Sequence, residues 1–364
     1  MKKKLLCMAL AVVVFAGLTT GCGRRGSGAQ ATGGAAASGS AQSSATGEET
    51  YTWRMAHEEY NGDMQDVYCQ EFAKKLNENS DGRINLQIYG VGQIGDALQQ
   101  CELLQNNGLE FAMISPGNTG TIVPENQLFS LHYLFPNDLE KAQEVLNTSK
   151  ALNEKLVAKY VEKNILPLSF WTEGAMWWTS NKPIHTPADF KGLKFRTMQS
   201  PVIVAAYEAY GANPTPMSYT EVYSGLQLNM IDGQENPISA IQSSKFYEVQ
   251  KYLTEANSNI YVTATCVNPT FFNSLPEDIQ QIVLDTVEQM KGRSYEIQDE
   301  LNGGALEKIQ EASDIAVEKL TDEEREAFAE AAQSAYGKYK ELVGEDGSAI
   351  LDELMAEVAA AEGK

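Results

Sequence analysis

The period of the apolar positions changes repeatedly along this chain, and each change marks an element. Tyr51–Ala56 reads as a first strand. Across 63–79, Met64, Val67, Tyr68, Phe72 and Leu76 recur at helical spacing, and Asp81-Gly82 closes the segment. Ile84–Tyr89 alternates as a strand does. Gly95-Asp96 opens a helix through Gln105 with Leu98, Cys101 and Leu104 or Leu103 on one face. A short apolar strand over 109–114 then runs into Ser115-Pro-Gly-Asn-Thr119. This β-α-β-α-β order predicts an α/β protein with a parallel or mixed sheet covered by helices. Ligands of such sheets bind beyond the carboxyl ends of the strands, where loops converge.

The second half continues the theme. One or two helices are expected over 138–163, strands over 165–171, 175–179 and 193–197, and helices over 201–210 and 220–229. The β-branched run 259–267 predicts a further strand. Ser274-Leu-Pro-Glu277 reads as a capping box opening a helix that reaches beyond residue 300, long enough to run across two lobes. Thr321-Asp-Glu-Glu324 repeats that start signal.

Only the ends change this picture. Lys2, Lys3 and Lys4 precede an apolar stretch too short to span a bilayer comfortably, closing on Leu18-Thr-Thr-Gly-Cys22. Residues 1–21 therefore read as a signal peptide. Cys22, preceded by glycine as in a bacterial lipobox, reads as a lipidated first residue, although Thr19 replaces the usual leucine. Residues 22–50 are rich in Gly, Ala, Ser, Thr and Gln and read as a tether, which places the body outside the cytoplasmic membrane.

Charge narrows the partners. The chain has 28 Lys and Arg against 49 Asp and Glu, and five of the basic residues precede Tyr51. A body this acidic repels nucleic acid and anionic lipid. Cys69, Cys101 and Cys266 are odd in number and widely spaced, so they predict buried small hydrophobes rather than disulfides or a zinc site.

No serine-hydrolase elbow, His-Glu-x-x-His, Walker-type Gly-x-x-x-x-Gly-Lys-Ser/Thr loop or Cys-x-x-Cys occurs. Within Gly192-Leu-Lys-Phe-Arg196, strand alternation sets Leu193 and Phe195 against Lys194 and Arg196. A guanidinium matches a carboxylate in two parallel hydrogen bonds. Arg196 can serve as a surface ion pair or face a cleft, and its place before the break Met198-Gln-Ser-Pro201 favours the cleft. Asp232-Gly-Gln-Glu-Asn-Pro237 reads as a tight turn that displays Asn236, which both donates and accepts.

Taken in order, Glu173-Gly174, Gly192-Leu-Lys-Phe-Arg196, Tyr210-Gly-Ala-Asn-Pro-Thr-Pro-Met217, Glu221-Val-Tyr223, Asp232-Gly-Gln-Glu-Asn-Pro237 and Phe246-Tyr-Glu-Val249 resemble the solute-binding subunit of tripartite ATP-independent periplasmic (TRAP) transporters, DctP type. Weaker similarity, including Gln93-Ile-Gly-Asp96 and Leu275-Pro-Glu-Asp278, extends it over nearly all of 51–300. The resemblance implies a two-lobed periplasmic-binding-protein-like fold, with an interlobe cleft, cross-over strands and a long lobe-spanning helix. Lobe I would comprise 51–173 and 262–301, and lobe II 174–261 and 302–364. It further implies that Arg196 clamps a substrate carboxylate, that Asn236 lines the site, and that ion-gradient-driven permease subunits in the membrane receive the ligand. No cofactor or metal is implied.

One departure bears on the ligand. Many members carry a second arginine two residues after the glycine matching Gly174, where this chain has Met176 followed by Trp177 and Trp178. Loss of that charge favours a monocarboxylate or sugar acid over a C4-dicarboxylate, with an aromatic wall from at most one tryptophan. His57, Glu58 and Glu59 follow the first strand, where the resemblance implies ligand-facing residues; acidic groups there suit hydroxyls or an ammonium. Ser115 and Asn118 are polar candidates after the third strand. An ABC-type solute-binding lipoprotein would share lobes and anchor but lack the Arg196 and Asn236 blocks. A secreted carbohydrate-active enzyme would turn its ligand over.

Overall fold

In the computed structural model, which describes residues 49–363, β1 (Tyr51–Ala56) lies between two parallel neighbours. These are β2 (Ile84–Tyr89) and β3 (Phe111–Ile114), reached through α1 (Met64–Asn79) and α2 (Ala97–Gln105). Asp96 caps α2 in a full capping box with Gln99, as its sequence predicts. The signal, tether and Cys22 expectations fall on residues outside those described, apart from Glu49 and Thr50, which are exposed.

Two strands expected separately are one. β4 (Leu166–Ser180) runs for 15 residues and joins both halves of the molecule. Its first part pairs antiparallel with β9 (Ile260–Val267), which in turn pairs with β3. Its second part pairs with β7 (Gly233–Pro237) and β8 (Tyr252–Glu255). The strands β5 (Lys194–Thr197), β6 (Asn213–Pro216) and β7 complete the second layer, giving the order β2-β1-β3-β9-β4-β7-β5-β6. β10 (Ala316–Lys319) adds alongside β8. The sequence showed no apolar alternation at β6, β8 or β10, because their outer faces are polar or proline-bearing.

Asp232–Pro237 is also not a free turn. Residues 233–237 are fully buried between β4 and β5, so backbone pairing overrides the turn chemistry of Asp-Gly. Gly233 has no alternative there: an added Cβ would meet the Thr179 carbonyl at 2.5 Å.

Helix α3 (Leu139–Thr148) packs on β4, and α4 (Pro201–Ala209) follows β5. Helix α5 (Glu277–Gly303) is 27 residues, about 40 Å long at 1.5 Å per residue. Its expected capping box at Ser274 does not form. Ser274 ends a short helix, Pro269–Ser274, and donates to Phe271 O at 2.6 Å. Ile279, Val283, Val287 and Met290 of α5 pack beneath β1–β3, and its far end reaches the second layer. There Asn302 donates to Glu173 O at 2.7 Å and accepts from Ser239 N at 3.2 Å, so one side chain holds both halves.

α6 (Asp322–Ala331) starts with the predicted Thr321–Glu324 capping box. α7 (Gln333–Ala361) is interrupted at Gly344, where φ is 67°. Its Tyr339, Leu351 and Leu354 share one core with Leu104, Leu128 and Leu152, and also with Val202 and Ala206. This departs from the expected placement of 302–364 in a single lobe, since α7 packs on both. The three cysteines are free and buried, as expected.

The crossing point in β4 depends on Gly174, which sits at a register shift with φ 113°. A Cβ there would come within 2.5 Å of Asn302 Nδ2. Gly174→Ala should therefore lower stability by ~1–3 kcal/mol. Gly292→Ala, on the exposed face of α5 with nothing near its Cβ, should raise stability by ~0.5–1 kcal/mol. Thermal or urea unfolding of the two variants checks the contrast.

Candidate functional site

Where the strand ends converge, eight side chains line a partly open cavity. Glu58, Glu59 and Asn118 come from the first layer, Arg196, Met198, Tyr219 and Asn236 from the second, and Tyr261 from β9. The topology gathers them without any sequence proximity.

Arg196 is buried near the end of β5, on the opposite side of the strand from the core residue Phe195. Its Nε and Nη2 donate to Met217 O at 3.1 and 3.0 Å. No carboxylate lies within ion-pair range of it among the described residues. Burial pulls its pKa below the usual value, and only Tyr261, Glu235 and Tyr219 oppose that from nearby. A guanidinium nonetheless stays charged in a protein. A buried charge without a carboxylate in ion-pair range is costly, and an anion at this wall would offset that cost. Asn236 lies on β7 opposite Trp177, and its amide donates to Gln234 Oε1.

The opposite wall is acidic. Glu58 accepts from Ser115 N at 3.1 Å, from Ser115 Oγ and from Asn118 Nδ2 at 3.0 Å. Burial still dominates these donors and pushes its carboxyl up to about 7. Glu59 accepts from Gln65 N at 2.8 Å. Burial raises Glu59 well above the usual range, and the charges of Glu173 and Asp63 push the same way. Glu173 is itself raised by burial, offset by Glu59, by Thr263 Oγ1 donating at 2.6 Å and by Gln65 Nε2 donating at 2.9 Å. Glu59 and Glu173 thus form a buried pair that holds protons tightly. Such a wall can accept from hydroxyls or from a protonated nitrogen, and a carboxyl that keeps its proton can also donate.

Several expected residues sit elsewhere. His57 is buried behind the wall, its Nε2 at 3.3 Å from Asp66 Oδ1, and lines none of the cavities described here. Strand alternation in β4 splits the tryptophans. Trp178 packs in a core with Phe190 and Phe328, and Trp177 packs on the opposite face near Ile238 and Leu253. The aromatic wall comes instead from Tyr219, whose hydroxyl lies 2.6 Å from Ser244 Oγ, and from Tyr261. Met176 and Ser115 line a second cavity behind the first. Met198, Tyr219, Tyr261, Gln65 and Glu235 were not singled out by sequence reasoning. Glu235 stood inside a quoted motif, but Tyr261 sits in a run of β-branched residues with no signal of its own.

Residues 55–342 match the DctP family, the bacterial extracellular solute-binding proteins of family 7. The ectoine-binding periplasmic protein TeaA of Halomonas elongata is 40% identical over 319 residues, covering 85% of this chain and 91% of that one. The ectoine/5-hydroxyectoine-binding periplasmic protein UehA of Ruegeria pomeroyi is 37% identical, covering 87% and 94%. The solved structure of the ectoine-binding protein of the TeaABC TRAP transporter superposes with a TM-score of 0.82, covering 85% of this chain and all of that chain. A TRAP periplasmic solute-binding protein from Desulfovibrio salexigens, solved with bound orotic acid, is 29% identical and gives a TM-score of 0.81, covering 86% of this chain and all of that chain.

The acidic wall sets a pH dependence. Because the folded protein holds the Glu58 proton up to about 7, against an ordinary 4.5, this group's stabilisation is present at low pH and lost as pH rises between those values. Glu58→Gln should therefore be more stable than wild type at pH 8 and lose that advantage by pH 5. Thermal midpoints of unliganded protein across this range check the sign.

Proposed function

This chain belongs to the bacterial extracellular solute-binding proteins of family 7, and on that premise we propose that it captures a small monocarboxylate for a TRAP permease. TRAP solute-binding proteins take up small ligands and work with membrane permease subunits, and the family is extracytoplasmic. No helix among the described residues is long and apolar enough to cross a membrane.

The observation that carries the reading is Arg196, a buried guanidinium whose hydrogen bonds go only to Met217 O. Both hydrogens of Nη1 and one of Nη2 remain for a ligand carboxylate, with Asn236 beside them. In the clamp cavity the second carboxylate of a C4-dicarboxylate would meet Glu58 and Glu59 rather than a second cation, and Met176, where the resemblance implies arginine in many members, lines the adjoining cavity without charge. A hydroxyl or a protonated nitrogen suits that wall.

Ectoine, a cyclic zwitterion with one carboxylate and one amidinium, satisfies both walls, and the ectoine-binding relatives make it the first compound to test. Sugar acids satisfy them through hydroxyls. A ligand touching both layers would favour their approach, which is hinge closure by selection of the shut state. Delivery would then be driven by an ion gradient through the permease.

Titration calorimetry with ectoine, gluconate and succinate tests this. A monocarboxylate should bind and succinate should not, and Arg196→Ala should weaken the bound acid ~100-fold or more. Tight succinate binding with no monocarboxylate bound would overturn the reading.

The Gly21-Cys22 pair after a short apolar run supports attachment through a lipid on Cys22. Cys22→Ala should abolish labelling by a fatty-acid analogue and release the protein from the membrane fraction.

A further inference from the structure

Beside the clamp lies a second, partly open cavity that shares Met198 and Tyr261 with it. The polar groups in its wall are largely engaged. Tyr207 OH donates to Glu235 at 2.6 Å, His132 Nδ1 lies 2.8 Å from Tyr210 OH, and Ser115 Oγ bonds Glu58. Asn259 donates to Phe129 O at 2.6 Å, and its Oδ1 is the one side-chain atom of this wall that is buried without a partner. Phe129, Met176, Met198, Ile203, Ile260 and Val262 supply the apolar surface. An apolar group lying against these side chains would gain dispersion contacts with them.

Met198 is the partition between the two cavities. Its side chain lies so close to Gly117 that a Cβ there would approach both Sδ and Cε at 2.5 Å. Met198 follows β5 and Gly117 follows β3, so this contact bridges the two layers. An unbranched thioether with several rotatable bonds gives way easily to a neighbouring group.

We propose that this inner chamber is a subsite for an apolar substituent of the captured acid, so that the receptor takes 2-hydroxy or 2-amino monocarboxylates with an apolar side chain. The inference rests on the carboxylate reading of Arg196. The clamp cavity has Arg196, Glu58 and Met198 in its wall. A 2-substituted acid presents its carboxylate, its hydroxyl or ammonium, and its side chain from a single carbon. Each of the three groups then meets one wall: the carboxylate at Arg196, the donor at Glu58 and Glu59, and the side chain past Met198.

Calorimetry on the whole chain tests it with two matched pairs, 2-hydroxyisocaproate against lactate and leucine against alanine. In wild type the larger acid of at least one pair should bind about tenfold more tightly or better, the scale set by three further buried carbons. The pair that responds tells a neutral donor from a cationic one. Val262→Phe and Ile203→Phe fill the chamber from β9 and from α4. Either should weaken the larger acid about tenfold while leaving the smaller within about threefold. Weakening of both acids alike in a variant with a cooperative thermal transition, or of neither, overturns the proposal. So does a wild type with no preference for the larger acids or no binding of them, which decides the matter even where both variants fail to fold. If the acids require Arg196 yet show no size preference, only the chamber falls. If Arg196→Ala binds them as wild type does, the carboxylate reading falls with it.

Discussion

A single uncompensated charge organises this molecule. Arg196 is carried into the interior on β5, fixed by the Met217 carbonyl, and left without an ion-pair partner among the described residues. Burying a lone cation is costly unless something is gained by it. Much of the surrounding structure serves to keep that charge in place and dry. β7 pairs with β4 and, at Phe195–Gly233, with β5, and Gly233 lets the strands approach closely.

The facing wall is the electrostatic complement. Glu58, Glu59 and Glu173 are buried together, and burial raises all three. Burial and their mutual repulsion favour the protonated forms, which can donate as well as accept. The proposed preference for a monocarboxylate with a hydrogen-bonding second group follows from this asymmetry, with a cation on one layer and carboxyls on the other.

The two walls belong to layers joined at several points. β4 crosses between them through Gly174, β9 runs alongside, and Asn302 at the end of α5 bonds a backbone group on each side. The closure proposed above would have to turn about these links, and α7 packs on both layers.

Local patterns carried much of this in the sequence. β1, α1, β2 and α2 follow from apolar periodicity, and the caps at Asp96 and Thr321 from the spacing of their partners. Arg196 and Asn236 were legible from ordered motifs, and Glu58, Ser115 and Asn118 from their places after strands. What pairing and packing alone decided was different in kind. Residues 232–237 carry turn chemistry yet form a buried strand, because two neighbouring strands offer more hydrogen bonds than a turn does. Which tryptophan faces where, that His57 turns away, and that Tyr261 and Met198 reach the cavity all depend on contacts between residues far apart in the chain. Many local elements, and the arginine at a strand end, were already written in the order of residues; that this arginine is buried with no counter-ion among the described residues came only with assembly, because burial and charge pairing belong to packed layers and not to any segment.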